Sequence, residues 1–170
     1  LLRVMKIKPG LHIVSTPIGN MGDITHRAIE TLRNSDYIFA EDTRVTKKLL
    51  EKHNITTKLS VYNDHSEQKT RDYIKTLIDQ EKIITLVSDA GTPLISDPGY
   101  KLVRELQEEG YHIDTAPGAS SVITALVLSG LATDRFVFNG FIPKTIPAKE
   151  KTFKELENLK ATLIFFETAP

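Results

Sequence analysis

Short apolar runs alternate with amphipathic stretches along the chain, and the alternation predicts strands and helices in turn. Leu11 to Ser15 is a brief apolar run closed by Thr16-Pro17-Ile18-Gly19-Asn20-Met21-Gly22. Asp23 can then cap a helix whose Ile24, Ala28, Ile29 and Leu32 share one face. Tyr37 to Ala40 reads as a second strand, followed by a basic helix with Val45, Leu49 and Leu50 inward, stopping near Asn54. Leu59 to Tyr62 is a third strand, and Ser66 to Gln80 a helix striped by Tyr73, Ile74, Leu77 and Ile78. Ile83-Ile84-Thr85-Leu86-Val87 is a continuous, largely β-branched run, the pattern of a strand covered on both faces. A helix over Lys101 to Glu109 ends at Gly110, a strand covers Tyr111 to Asp114, and a helix covers Ser120 to Ser129.

Five strands, each followed by a helix, predict an α/β fold: a three-layer parallel-sheet sandwich. Such sheets bind ligands beyond the carboxyl ends of their strands. Four loops at that end are rich in small and polar residues: 15–23, 40–44, 88–99 and 116–121. After Asp134 the pattern restarts with a strand Phe136 to Phe138, a Lys/Pro loop at 143–149, an amphipathic helix and the apolar run Ala161 to Glu167. The expected organisation is an N-terminal α/β domain over 11–133, followed by the start of a second, truncated α/β domain over 134–170. The chain opens on Leu1 and stops three residues after that last run, so it reads as a piece of a longer protein.

Composition narrows the chemistry. There is no cysteine, which excludes disulfides, thiolate metal sites, Fe–S clusters and a Cys nucleophile. The five histidines fall in no ligand spacing, so no metal site is expected. The longest apolar runs, Ala125 to Leu128 and Leu163 to Phe166, fall far short of the ~20 residues of a membrane span. Basic and acidic residues balance at 22 each, which argues against a surface that grips nucleic acid everywhere. The average hides a local excess: residues 43–58 carry Arg44, Lys47, Lys48, Lys52 and Lys58 against Glu51, a net charge of +4. A solvated helix face explains that run as well as a nucleic-acid footprint does.

Strand, Gly19-x-x-Gly22, then helix can cradle a phosphate or nucleoside, although a tight βα turn explains it better. Neither a dinucleotide fingerprint nor a P-loop occurs anywhere. The most informative stretch is Ser88 to Gly99, with two Gly, two Pro and two Asp after the most buried strand. Glycines allow close backbone approach to a ligand, prolines stiffen the loop, and Asp89 can accept from a ribose or amine. The bland alternative is that Asp97 caps the next helix; a loop this long and rigid favours function. Pro117 to Ser121 is a second small-residue turn, equally well read as a ligand cradle or as capping by Ser120. Glu41-Asp42-Thr43-Arg44 puts two acids and a base at a strand end, with Thr43 as the alternative cap.

Taken together, Ser15 to Asn20, Ala40 to Arg44, Val87 to Gly99, Pro117-Gly118 and Ser129 to Leu131 with Asp134 to Phe136 resemble the ribosomal RNA small subunit methyltransferase I family, within the tetrapyrrole-methylase (class III) superfamily. The resemblance runs in order from about Leu11 to Glu167. It implies methylation of the ribose 2′-oxygen of a cytidine in 16S rRNA of the 30S subunit, with S-adenosyl-L-methionine as donor. It also implies a cytoplasmic homodimer with neither membrane nor DNA as partner. Pro17, Asp89, Gly91, Thr92, Ser120 and Ser121 match positions that line the cofactor pocket in the superfamily. Glu41, Asp42 and Arg44 match a motif facing the substrate, where a carboxylate would take or orient the hydroxyl proton and Arg44 would hold a neighbouring phosphate. Two departures stand out: Asn63-Asp64-His65-Ser66-Glu67 replaces a His-Glu-His-Asn-Glu run, and Ala119-Ser120-Ser121 replaces Pro-Ser-Ala. Asn63 and His65 are therefore not among the candidates. The rival readings are a small-molecule methylase acting on a corrinoid or tetrapyrrole precursor, and a nucleotide-binding module without catalysis.

Overall fold

A computed structural model describes residues 7–62 and 67–168. The divergent run Asn63 to Ser66 lies outside the described residues. By compactness the chain forms two units, Leu1–Ser120 and Ser121–Pro170.

The first unit holds β1 (Gly10–Val14), α1 (His26–Asn34), β2 (Tyr37–Ala40), α2 (Thr43–Lys52), β3 (Lys58–Val61), α3 (Glu67–Asp79), β4 (Ile83–Val87), α4 (Tyr100–Glu108) and β5 (Ile113–Ala116). The strands form one sheet in the order β3-β2-β4-β1-β5, and every pairing is parallel. Each face of that sheet has its own core. On one side Leu11, Phe39, Ile84 and Leu86 meet Ile74, Leu77 and Ile78 of α3 and Leu102 and Leu106 of α4. On the other, Val14, Ile38, Ala40 and Val87 meet Ala28 and Leu32 of α1 and Leu49 and Leu50 of α2. That is the three-layer sandwich the alternation predicts. Central β4 carries one polar residue, Thr85, which is fully buried. Its hydroxyl shares a 2.6 Å hydrogen bond with Ser35 Oγ, so the core contains no orphaned group there.

Three expectations shift, each for a local reason. Asp23 does not cap α1: the chain first makes a 3₁₀ turn over Met21–Asp23, and Thr25 Oγ1 then accepts from the Ala28 amide at 3.1 Å. Val45 points outward (41% exposed) and Thr46 takes its place in the buried face (3%), because a helix starting at Thr43 aligns Thr46, Leu49 and Leu50. The fifth strand starts at Ile113 rather than Tyr111. Gly110 (φ +79°) closes α4 with Gly110 N–H donating to Gln107 O (3.2 Å) and Tyr111 N–H to Leu106 O (2.9 Å), so the Tyr111 amide belongs to the helix end.

The second unit contains α5 (Ser121–Ser129), β6 (Phe136–Phe141), α6 (Ile146–Leu156) and β7 (Thr162–Phe166). β6 and β7 pair in parallel, with a register shift between Phe138 and Phe141. Phe166 sits edge-on to Phe138 and Phe141 at centroid distances of 4.7 and 5.4 Å, and Phe165 to Phe153 at 5.7 Å. No residue of either strand is fully buried.

Candidate functional site

In the first sheet, β1 and β4 are neighbours whose following helices lie on opposite faces. Their loops must therefore part at the carboxyl ends, and a crevice opens where they do. Here the parting loops are tied. Thr16 N–H donates to Gly91 O at 2.9 Å and Gly91 N–H to Thr16 O at 3.0 Å, an isolated antiparallel bridge. Gly91 has φ +80°, and a Cβ there would stand 3.2 Å from Ile18 Cγ2, so the position suits glycine on both counts. Ser15 Oγ and Thr92 Oγ1 lie 3.1 Å apart, and Thr92 Oγ1 donates to Ala119 O at 3.0 Å, extending the tie to the loop after β5.

On the α2 side of this bridge lies a cleft of about 180 Å³, walled by Pro17, Met21, Val45, Thr46 and Leu49, with Asp89 among its lining residues. The loop after β2 joins it through Asp42, whose backbone N–H donates to Asp89 Oδ1 at 3.0 Å. Asp42, rather than Thr43, caps α2, accepting from the Arg44 amide at 2.9 Å. Its carboxylate also receives Arg44 Nε (3.0 and 3.2 Å) and Nη2 (2.6 Å). This fork of charge-assisted bonds holds the Asp42 carboxyl at about 2, well below the usual carboxylate range, while Arg44 stays 88% exposed. Lys47 is partly engaged with Glu51 at 3.8 Å, and Lys58 lies 4.8 Å over the Tyr37 ring.

The structure thus brings Pro17, Asp89, Gly91, Thr92, Asp42 and Arg44 into one loop cluster. Glu41 is exposed at the end of β2, Ser120 is half-buried after β5, and Ser121 is the first residue of α5. Sequence reasoning missed Met21 and Thr46 of the cleft wall; the signal available for Thr46 was a threonine at the i, i+3, i+4 spacing of a buried face. The bland alternative for Asp97, a helix cap, does not hold. That residue does not cap α4, whose N-cap is Gly99 without a side-chain bond. Burial, with the charge of Asp89 adding, raises the Asp97 carboxyl above the usual value, while the Ser88 hydroxyl donates to Ala90 O at 3.3 Å. Among the described residues no cluster of His, Asp and Glu is suited to a metal, and no helix is long and apolar enough to cross a membrane.

The family model for tetrapyrrole (corrin/porphyrin) methylases matches residues 10–170. The chain belongs to this family. Among curated relatives, it is 65% identical over 165 residues to the ribosomal RNA small subunit methyltransferase I of Rickettsia prowazekii, covering 97% of this chain and 59% of that protein. The protein of the same name from Halalkalibacterium halodurans is 48% identical over 164 residues, covering 95% of this chain and 56% of its own length. The chain therefore spans a little over half the length of these family members. Among solved structures, a diphthine synthase superposes with a TM-score of 0.72 at 15% identity, covering 94% of this chain and 64% of that one. A uroporphyrin-III-C-methyltransferase from Thermus thermophilus follows at 0.60 and 14%, covering 80% of this chain and 60% of its own. At such identities these structures establish the shared methylase fold.

Proposed function

We propose that the protein is an S-adenosyl-L-methionine-dependent methyltransferase that modifies the ribose 2′-oxygen of a cytidine in 16S rRNA of the 30S subunit, working in the cytoplasm as a homodimer. The observation that carries this reading is the Asp42 amide bonded to Asp89: it joins the acceptor-side motif to the cofactor-side loop at the strand ends where this fold binds ligands. The names of the relatives point the same way. The residues present fit the cofactor. Gly91 lets backbone approach closely, Asp89 has a second carboxylate oxygen to receive a hydroxyl or ammonium donor, and Pro17 lines the same cleft as Asp89.

When bound, the cofactor supplies a methyl group already activated on a sulfonium. What the chain must add is alignment and a place for the proton of a poorly nucleophilic hydroxyl. Within the acidic pair the pKa of Asp42 supports a division of labour. Asp42, with its carboxyl near 2 and its oxygens engaged by Arg44, is a weak base and acts as an orienting group. Glu41 is the carboxylate that takes the proton. Arg44, reaching into solvent with Nε and Nη2 on Asp42, presents its remaining edge to an RNA phosphate, and the neighbouring Lys48 and Lys52 extend that basic rim. A requirement for a 2′-hydroxyl selects RNA over DNA.

Labelled-methyl transfer from S-adenosylmethionine to 30S subunits lacking the modification tests the reading with the full-length protein. Label is expected on a ribose oxygen of 16S rRNA. Cofactor binding without transfer to any RNA would instead support a non-catalytic module.

A further inference from the structure

Five polar residues line the cleft on the α2 side of the bridge: Thr16, Asn20, Thr46, Ser88 and Asp89. Four of them have a side-chain atom already bonded within the protein. Thr16 Oγ1 donates to Ser88 O at 3.4 Å, and Ser88 Oγ to Ala90 O at 3.3 Å. Asn20 Oδ1 accepts from the Gly22 amide at 2.9 Å, and Asp89 Oδ1 from the Asp42 amide at 3.0 Å. Thr46 is the exception. It is 3% exposed, yet among the described residues its hydroxyl has no hydrogen-bond partner. A helix does not impose this: Thr31 of α1 and Thr76 of α3 return their hydroxyls to the carbonyl four residues back, at 2.8 and 2.9 Å. A buried hydroxyl without a partner weighs against the folded state, so one that lines a cleft is explained by what enters that cleft.

The rest of the wall indicates the occupant. Met21, Val45 and Leu49 offer apolar surface and no bonding group, which suits a molecule with flat apolar faces and a polar edge. A nucleobase has that combination. Thr46 stands one turn after Asp42 on α2, with Arg44 between them at the exposed rim. In a nucleotide the 2′-hydroxyl sits on the carbon next to the one that carries the base, and phosphates flank the same ribose. With a phosphate on Arg44 and the ribose at the acidic pair, the base turns toward α2. We propose that this cleft holds the base of the acceptor nucleotide, unstacked from its RNA, with Met21 and Leu49 against its faces and Thr46 Oγ1 bonded to its polar edge. Thr46 is then a specificity-determining residue. The proposal rests on the RNA reading above and goes beyond it, because transfer to a 2′-oxygen by itself asks nothing of the base. The cofactor lining at Thr92 runs the other way, toward the loop after β5, and β5 and β2 lie on opposite sides of the central β4-β1 pair. Cofactor and base therefore share only the Pro17 and Asp89 edge.

The test crosses a protein variant with a substrate variant. Full-length protein is assayed on 30S subunits reconstituted with 16S rRNA that carries either cytidine or an abasic ribose, which keeps the 2′-hydroxyl, at the acceptor position. Methyl transfer is read as kcat/KM, with the dissociation constant of S-adenosylmethionine and the thermal midpoint alongside. Thr46→Val deletes the hydroxyl and keeps the shape. On the natural RNA it should lower kcat/KM about three- to tenfold, the weight of one hydrogen bond, with cofactor affinity unchanged and the midpoint equal or higher. On the abasic RNA the unsubstituted protein should already be slower by about tenfold or more, the weight of a stacked base. Thr46→Val should then add less than about twofold, since no base edge remains. Equal losses on both RNAs, or none on either, overturn the proposal and leave the methyltransferase reading standing. A weakened cofactor affinity in Thr46→Val would give the hydroxyl to the cofactor and also overturn it. If the unsubstituted protein methylates no RNA, the RNA reading itself falls and takes the proposal with it.

Discussion

The two ends of the five-stranded sheet use the same residue types to opposite purposes. At the amino end the polar groups around Asp36 and Ser35 are spent on closure. Asp36 Oδ2 accepts from Ile83 N–H at 2.8 Å, the Asp36 amide donates to Ile83 O at 2.8 Å, and Ser35 and Thr85 share a buried hydroxyl pair. Positive φ angles occur there too, at Asn54, Glu81 and Gly110, but each follows a helix and completes its last turn. At the carboxyl end, Leu94 and Ser96 hold the same dihedral sign before a helix, Asp89 is exposed with one carboxylate oxygen bonded to the Asp42 amide, and a cleft opens beside them. Identical backbone geometry is ordinary at one end and strain at the other. The bend also lets Leu94 pack against the core, so its strain is offset in part by burial.

The comparison implies that substitutions at the amino end cost stability, whereas those at the carboxyl end cost activity. The largest effect should come from Glu41→Gln, which lowers methyl transfer by about 10²–10⁴-fold through loss of the base. RNA binding and the thermal midpoint should stay at wild-type values; undiminished turnover would remove Glu41 from the mechanism. Gly99→Ala blurs the division. With φ +123° and a Cβ that would stand 2.9 Å from Leu86 Cδ2, it links the strained loop to the core. A loss of about 1–3 kcal/mol in denaturant unfolding is expected. Ser35→Ala leaves Thr85 without its partner in the buried centre of β4. It should cost about 1–3 kcal/mol while turnover per folded molecule is retained. An equal fall in turnover would break the comparison.

The smallest effect concerns acid. The folded Asp42 carboxyl, at about 2, lies below its ordinary 3.8, so its contribution to stability is complete above about pH 4 and is lost as pH falls through about 2. Asp42→Asn still caps α2 but carries no charge to titrate. Its stability should fall less steeply than wild type across that window in acid-unfolding curves, and parallel curves would show that the Arg44 fork adds nothing to stability.

Much of this architecture is legible in one dimension. The bounds of β2 and β4, the burial of Ala28 and Leu32 in α1 and of Ile74, Leu77 and Ile78 in α3, and the richness of the loops at 15–23 and 88–99 follow from apolar period and turn chemistry, whereas Tyr73 of the expected α3 stripe is 45% exposed. β5 was misread at Tyr111 because the helix closure that takes its amide is a three-dimensional event around Gly110. Thr46 was overlooked because a threonine carries no apolar signal, although the register of α2 buries it.

Sequence by itself determined which faces are apolar, where the chain turns, and that acids, glycines and small hydroxyls collect at the strand ends. These are local properties, read within a few residues. Only the tertiary structure decided what those residues do to one another. Ser15 meets Thr92 across 77 positions, and Asp42 meets Asp89 across 47. Asp97, a plausible helix cap on paper, leaves the N-cap of α4 to Gly99. A hydrogen bond depends on distance and on the number of protons available, and the chain's pattern encodes neither until parallel pairing brings separate loops to one edge.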